Sequence, residues 1–209
     1  MPLADQVRLM VLTDGSLLKG RDPVAACRRA AEGGATMIQV RWKDGPPRDI
    51  AALTRALVGA LAIPVIVNDR VDVALAAGAA GAHLGQDDVP IDRLRARLTL
   101  PPGFLFGISV GSPAEAERVR SWPADYWSVG PCFATETKRD AGTPLGVDGF
   151  RRLARLAPAR TPVIGIGGVT PENAEALRRA GAAGVAAIAA VWTATDPAAA
   201  ARALRAAVA

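Results

Sequence analysis

Histidine, lysine, cysteine and aromatic side chains are all scarce in this chain, and each scarcity removes a class of function. A single histidine in 209 residues rules out a histidine-rich zinc centre. Two cysteines, Cys27 and Cys132, are too few for a disulfide scaffold and fit a reducing cytoplasm. Nine aromatic residues, with no basic run among them, supply no stacking platform for nucleic acid. The net charge of +5 comes from arginines scattered along predicted helices, as in Arg28-Arg29 and Arg178-Arg179, which reads as a solvated surface. No uncharged apolar run is long enough to span a bilayer, and Asp5 and Arg8 fall where a signal peptide would be apolar, so no membrane partner is predicted. Only Lys19, Lys43 and Lys138 are lysines. Where arginine is the default surface cation, Lys43 and Lys138 at strand ends look chosen for a compact ammonium head.

What is present is a regular alternation. Half the residues are hydrophobic, enough for one domain with a large core. Eight β-branched runs read as strands near Val7–Thr13, Thr36–Trp42, Pro64–Asn68, Gly81–Leu84, Phe104–Val110, Tyr126–Val129, Pro162–Gly167 and Gly184–Ala190. An amphipathic segment follows each: Pro23–Gly33, Pro47–Ala60, Arg70–Ala77, Ile91–Leu98, Pro113–Ser121, Val147–Leu156, Pro171–Ala180 and Pro197–Val208. Asp22, Ser112, Thr170 and Asp196 each stand before a proline, the pattern of a capping side chain ahead of the first helical residue. Continuous apolar strands imply a parallel sheet covered on both faces. Eight of them in this length predict an α/β fold of one kind: a single-domain (β/α)8 TIM barrel over residues 1–209. An open doubly wound sheet is the rival, but Thr13-Asp14-Gly15-Ser16 is not a glycine-rich phosphate turn.

A barrel gathers the carboxyl ends of its strands at one face, so scattered polar residues become one site. Alternation sends Gln39, Arg41 and Lys43 to one side of the second strand, where they can share an anion. Asn68 and Asp69 end the third strand, and Asp87 and Asp88 follow the fourth. Each aspartate alone reads equally as a helix cap or a metal ligand, and the pair favours magnesium, which takes few protein ligands and completes its shell with water and phosphate. Residues from Thr135 through Lys138 open a long loop with the composition of a lid. Gly165 to Pro171 closes the seventh strand where barrels cradle phosphate. His83 reads as a buried, hydrogen-bonded structural residue, and Cys132, lacking a second histidine to activate it, reads as packing.

Six segments in order resemble the thiamine-phosphate synthase family, from Thr13 to about Val191. They are Gln39-Val40-Arg41-Trp42-Lys43, Val67 through Arg70, His83 through Asp88, Gly107-Ile108-Ser109, Gly130 through Lys138, and Ile164 through Thr170. The resemblance implies a magnesium-dependent condensation of hydroxymethylpyrimidine diphosphate with a thiazole phosphate. It implies that Gln39, Val40, Arg41, Lys43, Asn68, Ser109 and Lys138 hold the pyrimidine diphosphate, with Arg41, Lys43, Lys138 and Ser109 acting in catalysis. It further implies Asp69 and Asp88 on Mg2+, and Thr135, Glu136, Thr137, Gly168, Ile188 and Ala189 around the thiazole phosphate. Trp42, Gly111, Ala134 and Ala189 depart from the family pattern, and Ala189 removes a hydroxyl donor worth about 1 kcal/mol to a phosphate. Three other readings remain: a thiazole tautomerase of the same ancestry, a Schiff-base aldolase using Lys43 or Lys138, and a phosphate-binding barrel without turnover.

Overall fold

In a computed structural model, describing residues 1–135, 137 and 142–209, eight parallel strands close into a barrel in chain order. The strands are β1 (Leu9–Leu12), β2 (Met37–Val40), β3 (Val65–Asn68), β4 (Gly81–Leu84), β5 (Leu105–Val110), β6 (Tyr126–Val129), β7 (Val163–Ile166) and β8 (Gly184–Ala187). Pairing of Met10 with Ala186 as well as with Met37 closes the circle through β8 and β1.

Period-two alternation divides the strand side chains between two cores. Met10, Leu12, Met37, Ile66, Tyr126, Ile164 and Ala186 point inward and fill the barrel. Their neighbours, such as Val11, Ile38, Val40, Val67, Ala82 and Ile108, point outward and pack under the helices. Those helices are α2 (Pro23–Glu32), α3 (Pro47–Ala60), α4 (Val71–Ala77), α5 (Ile91–Arg97), α6 (Pro113–Val119), α7 (Gly146–Ala154), α8 (Pro171–Arg179) and α10 (Pro197–Ala207). Among the described residues no helix is long and apolar enough to cross a membrane.

The capping expectations hold where a proline fixes the first turn. Asp22 accepts from Val24 N at 2.9 Å, Ser112 from Glu115 N at 3.2 Å and Asp196 from Ala198 N at 2.9 Å. At α8, Thr170 N donates to Asn173 Oδ1 at 2.9 Å.

Two short helices, α1 (Leu3–Gln6) and α9 (Ala189–Trp192), were not expected, because four residues are too few to show a helical period. The first closes the amino end of the barrel, with Leu3 packed on the interior core. The second replaces the last part of the expected eighth strand: Gly184–Ala190 stops at Ala187, and the chain turns into α9. Strands one, two, three, five and seven are likewise shorter than their apolar runs. The extra residues at the carboxyl ends, Thr13, Arg41, Trp42 and Gly167, lead from the ladder toward the mouth.

Candidate active site

At the carboxyl end of the barrel, β1 and β2 are clasped to each other. Thr13 Oγ1 accepts from Arg41 N at 2.8 Å and donates to Arg41 O at 3.0 Å. Arg41 Nη1 lies 3.2 Å from Asp14 Oδ2. Asp14 Oδ1 accepts from Ser16 N at 3.0 Å and from Leu17 N at 3.2 Å, and also from the Ser16 hydroxyl. Burial pushes this carboxyl up, but those hydrogen bonds and the Arg41 charge outweigh it, so Asp14 is held below the usual aspartate range. Asp14 was missed as a functional residue. Its signal was an aspartate two residues before a serine at a strand end, the pattern of a side chain folding back on its own turn.

Gln39 is buried inside the barrel just below this clasp, as alternation requires. The Val40 side chain packs in the outer core, which leaves its backbone as the part that could meet a substrate. Lys43 is exposed in the turn beyond β2. Trp42, one of the four departures from the family pattern, lays its indole against two glycines: a Cβ at Gly15 would sit 3.2 Å from Trp42 Nε1, and one at Gly45 would press into the ring. A cleft between the two strand ends is lined by Thr13, Gly15, Lys19, Arg41 and Trp42.

On the next two strands the aspartates are set by backbone geometry rather than by capping. The residues at the helix N-caps are Arg70 and Pro90, which removes the helix-cap reading of Asp69 and Asp88. Asp69 has φ +61°, its N–H donates to His83 O at 2.8 Å, and Arg70 N donates to Asn68 O at 2.7 Å. This tight turn places an exposed carboxylate in left-handed backbone, a conformation tolerated by aspartate at a cost of about 1 kcal/mol. Asp88 is half-buried, with Oδ2 accepting from Gly85 N at 2.7 Å. Asp87 is turned away and paired with Arg118 at 2.9 Å.

The donor chemistry of Asp69 and Asp88 suits a hard cation. Among the described residues no three acidic, histidine or cysteine side chains gather, so a cage built wholly of protein ligands is not formed. Two carboxylates from adjacent strand ends match the sparse protein ligation of magnesium, which completes its shell with water and phosphate oxygens.

A polar column runs through the barrel beneath these groups. His83 Nδ1 lies 2.8 Å from Tyr126 Oη, and His83 Nε2 lies 2.9 Å from Ser109 Oγ. Burial alone pushes His83 down to about 4, so the imidazole is neutral. Burial raises Tyr126 well above its ordinary value. Ser109, half-buried, pairs in register with Ser128 at the upper end of the column.

The opposite arc of the mouth is built by β6, β7 and β8. Hydrogen bonds continue past the strand ends, with Cys132 N donating to Ile166 O at 2.7 Å and Phe133 N to Gly167 O at 2.9 Å. Leu145 N then returns to Pro131 O at 2.8 Å, so the loop after β6 leaves and rejoins the barrel at one place. Thr135 and Thr137 lie in this loop, Thr137 N reaching Thr135 Oγ1 at 3.4 Å. Glu136 and Lys138 lie outside the described residues. Cys132 is packing, as expected: it is fully buried, and burial pushes its thiol up to about 12. Gly168, with φ +61°, and the half-buried Ile188 and Ala189 at the start of α9 follow β7 and β8 at the same end of the barrel. Trp192 Nε1 donates to Leu12 O at 2.6 Å and ties α9 to β1, an anchor that the sequence did not disclose.

Comparison with known proteins gives a consistent result. A family model described as thiamine monophosphate synthase matches residues 9–191. A thiamine-phosphate synthase of Roseiflexus sp. is 45% identical over 202 residues, covering 95% of this chain and 84% of that protein. One from Azorhizobium caulinodans is 42% identical over 208 residues, covering 98% and 96%. A solved thiamine phosphate pyrophosphorylase from Pyrococcus furiosus superposes with a TM-score of 0.84 at 34% identity, covering 99% of this chain and 98% of that one.

Proposed function

The chain belongs to the thiamine monophosphate synthase family, and from that premise we propose that its barrel mouth joins hydroxymethylpyrimidine diphosphate to a thiazole phosphate, releasing diphosphate. It is an enzyme, a transferase of thiamine biosynthesis. The observation that carries the site assignment is the strand order. Gln39, Arg41, Asn68, Asp69, Asp88 and Ser109 stand on or just beyond the contiguous strands β2 to β5, and Thr135, Thr137, Gly168, Ile188 and Ala189 follow β6 to β8. One arc is suited to a diphosphate and the other to a monophosphate. The two substrates would face each other across a single opening.

On the first arc, Arg41 offers a planar guanidinium already oriented by Asp14, and Lys43 offers an ammonium at the rim. Asp69 and Asp88 would hold Mg2+, which when bound supplies positive charge to the leaving diphosphate. The C–O bond between the pyrimidine methylene and diphosphate breaks, and its electron pair leaves with the diphosphate. Arg41, Lys43 and, from the sequence, Lys138 stabilise the charge that develops on those oxygens. The lone pair of the thiazole nitrogen then forms the new C–N bond to the methylene carbon.

This dissociative course needs no protein nucleophile. The site agrees: Cys132 is buried with its thiol pushed up to about 12, and both ring nitrogens of His83 are engaged. On the second arc, backbone N–H groups after Gly167 and at the start of α9 would receive the thiazole phosphate, compensating in part for the hydroxyl that Ala189 lacks.

The test is direct. Purified protein with Mg2+ and both substrates should release thiamine phosphate and diphosphate in equal amounts, and nothing when either substrate is left out. Binding of both phosphates without a joined product would reduce the chain to a phosphate-binding barrel.

A further inference from the structure

The cleft between the ends of β1 and β2 holds side chains that the condensation does not use. Arg41, paired with Asp14, stands where the cleft adjoins the mouth. Pro23 at the start of α2 and Leu53 on α3 also line it, so it reaches out to the helical layer. Among the described residues, Gln39, Asn68, Asp69, Asp88 and Ser109 take no part in its walls.

Its first wall is aromatic. Trp42 is 39% exposed, yet its ring has a fixed seat: a Cβ at Gly15 would crowd the Nε1 edge and one at Gly45 would overlap the ring. Leu18, Pro23 and Leu53 add aliphatic surface. Its second wall is cationic. Lys19 and Arg21, both exposed, flank Gly20, whose φ of +82° turns the chain, and Arg21 N closes that turn on Leu18 O at 2.9 Å. Arg21 Nη2 is steadied by Ala194 O at 3.3 Å, which leaves its other N–H groups to a ligand.

Charge complementarity names the occupant. Among the described residues the walls carry Lys19, Arg21 and Arg41 and no carboxylate. The acids nearest in sequence are already engaged. Asp14 accepts from Ser16 N and Leu17 N and pairs with Arg41, and Asp22 accepts from Val24 N at the start of α2. An anion is therefore attracted to the cationic wall and a planar ring to the indole. The cavity of about 240 Å³ is below the roughly 300 to 1,000 Å³ of drug-sized sites, so it has room for one base with sugar and phosphate toward the exposed cations.

We propose that this cleft is a second ligand site, separate from the reaction, for a small phosphorylated aromatic compound of the nucleoside monophosphate type. The base stacks on Trp42, and the phosphate is held by Lys19 and Arg21. A single indole suits one free base rather than a nucleic-acid strand, which needs successive stacking surfaces.

Calorimetric titration of the full-length protein with adenosine monophosphate, without divalent ions, tests the site. One molecule should bind per chain, and adenosine or inorganic phosphate alone should bind more weakly. Trp42→Ala should weaken binding about tenfold, the worth of one stacked base, and Trp42→Phe should recover most of it. Lys19→Ala should weaken it about tenfold, as for a hydrogen bond between charged groups, while leaving condensation unchanged. Asn68→Ala, in the mouth, should leave the affinity within about twofold of wild type, well below the loss of one such contact. Both altered cleft residues are exposed, and thermal melts matching wild type show that folded proteins are being compared. No binding, or affinity that survives both Trp42→Ala and Lys19→Ala, overturns the proposal. Loss in Asn68→Ala alone overturns it too, by moving the nucleotide to the mouth. A protein that binds as expected but joins no substrates would sink the proposed reaction and leave this site standing.

Discussion

Arg41 and Asp14 form an ion pair across the first two strand ends, 3.2 Å apart with side chains only 14% and 11% exposed. Because Asp14 is also saturated by Ser16 and Leu17, the guanidinium is held from behind while its other N–H groups remain available to an anion. Asp14→Asn is therefore expected to do two things. Thermal unfolding should show a loss of about 2 kcal/mol, as for a hydrogen bond to a charged group. Inorganic diphosphate should then bind more weakly than to wild type, because the cation is no longer oriented. Retained affinity in the variant would show that Asp14 serves stability alone.

Asp69 and Asp88 give a prediction about the metal that does not depend on turnover. Mn2+ titration read by electron paramagnetic resonance, with diphosphate present, should show one bound ion per wild-type chain. Asp69→Ala and Asp88→Ala should each lose it while the far-UV circular dichroism stays unchanged. Removing divalent ions with a chelator should halt product formation, and added Mg2+ should restore it. Binding that survives both substitutions would move the metal site elsewhere.

Most of the barrel was legible because its signals are local and repeated. β4 and β6 match their apolar runs end to end, and α3 matches its amphipathic segment. The residues around the mouth were legible for another reason: alternation fixes Gln39 inward and Val40 outward regardless of the partner strands. What stayed hidden depends on contacts between distant segments. The Asp14–Arg41 pair joins residues 27 apart, the His83–Tyr126 hydrogen bond joins residues 43 apart, and Trp192 reaches Leu12 across 180. Each is a single pair with no period to announce it. The helix α9 was read as strand because Ala189 and Ala190 continue an apolar run, and only closure of the barrel makes the chain turn there.

His83 should set the stability of the protein on the acid side of neutrality. Burial lowers its folded value to about 4 from the ordinary 6.5, so between these values the unfolded chain binds the extra proton. The sign follows: stability is intact above 6.5 and falls as pH drops toward 4, by about 3 kcal/mol at full extent. Urea midpoints measured at intervals from pH 7 to pH 4 check this. His83→Gln, which removes the titrating group, should flatten that part of the profile even if it lowers stability throughout. An unchanged slope in the variant would assign the effect to carboxylates.

Gly168 is held by two independent constraints, and a comparison of substitutions separates them. Its φ of +61° disfavours any side chain, and a Cβ would also collide with Ala134 O and approach Phe133 Cβ to 2.8 Å. Gly78, with φ +70°, has the same backbone constraint at the end of α4 but nothing within 4 Å of an added Cβ. Gly78→Ala should therefore cost only the conformational term, about 1 kcal/mol, with unchanged kinetics. Gly168→Ala must in addition push apart the loops after β6 and β7, where the thiazole phosphate is proposed to sit. Its expected cost is about 2 to 3 kcal/mol, and KM for the thiazole phosphate should rise about tenfold or more while KM for the pyrimidine diphosphate stays within about twofold. Equal effects of the two substitutions on stability, with no kinetic change in either, would place the phosphate away from the glycine turn after β7.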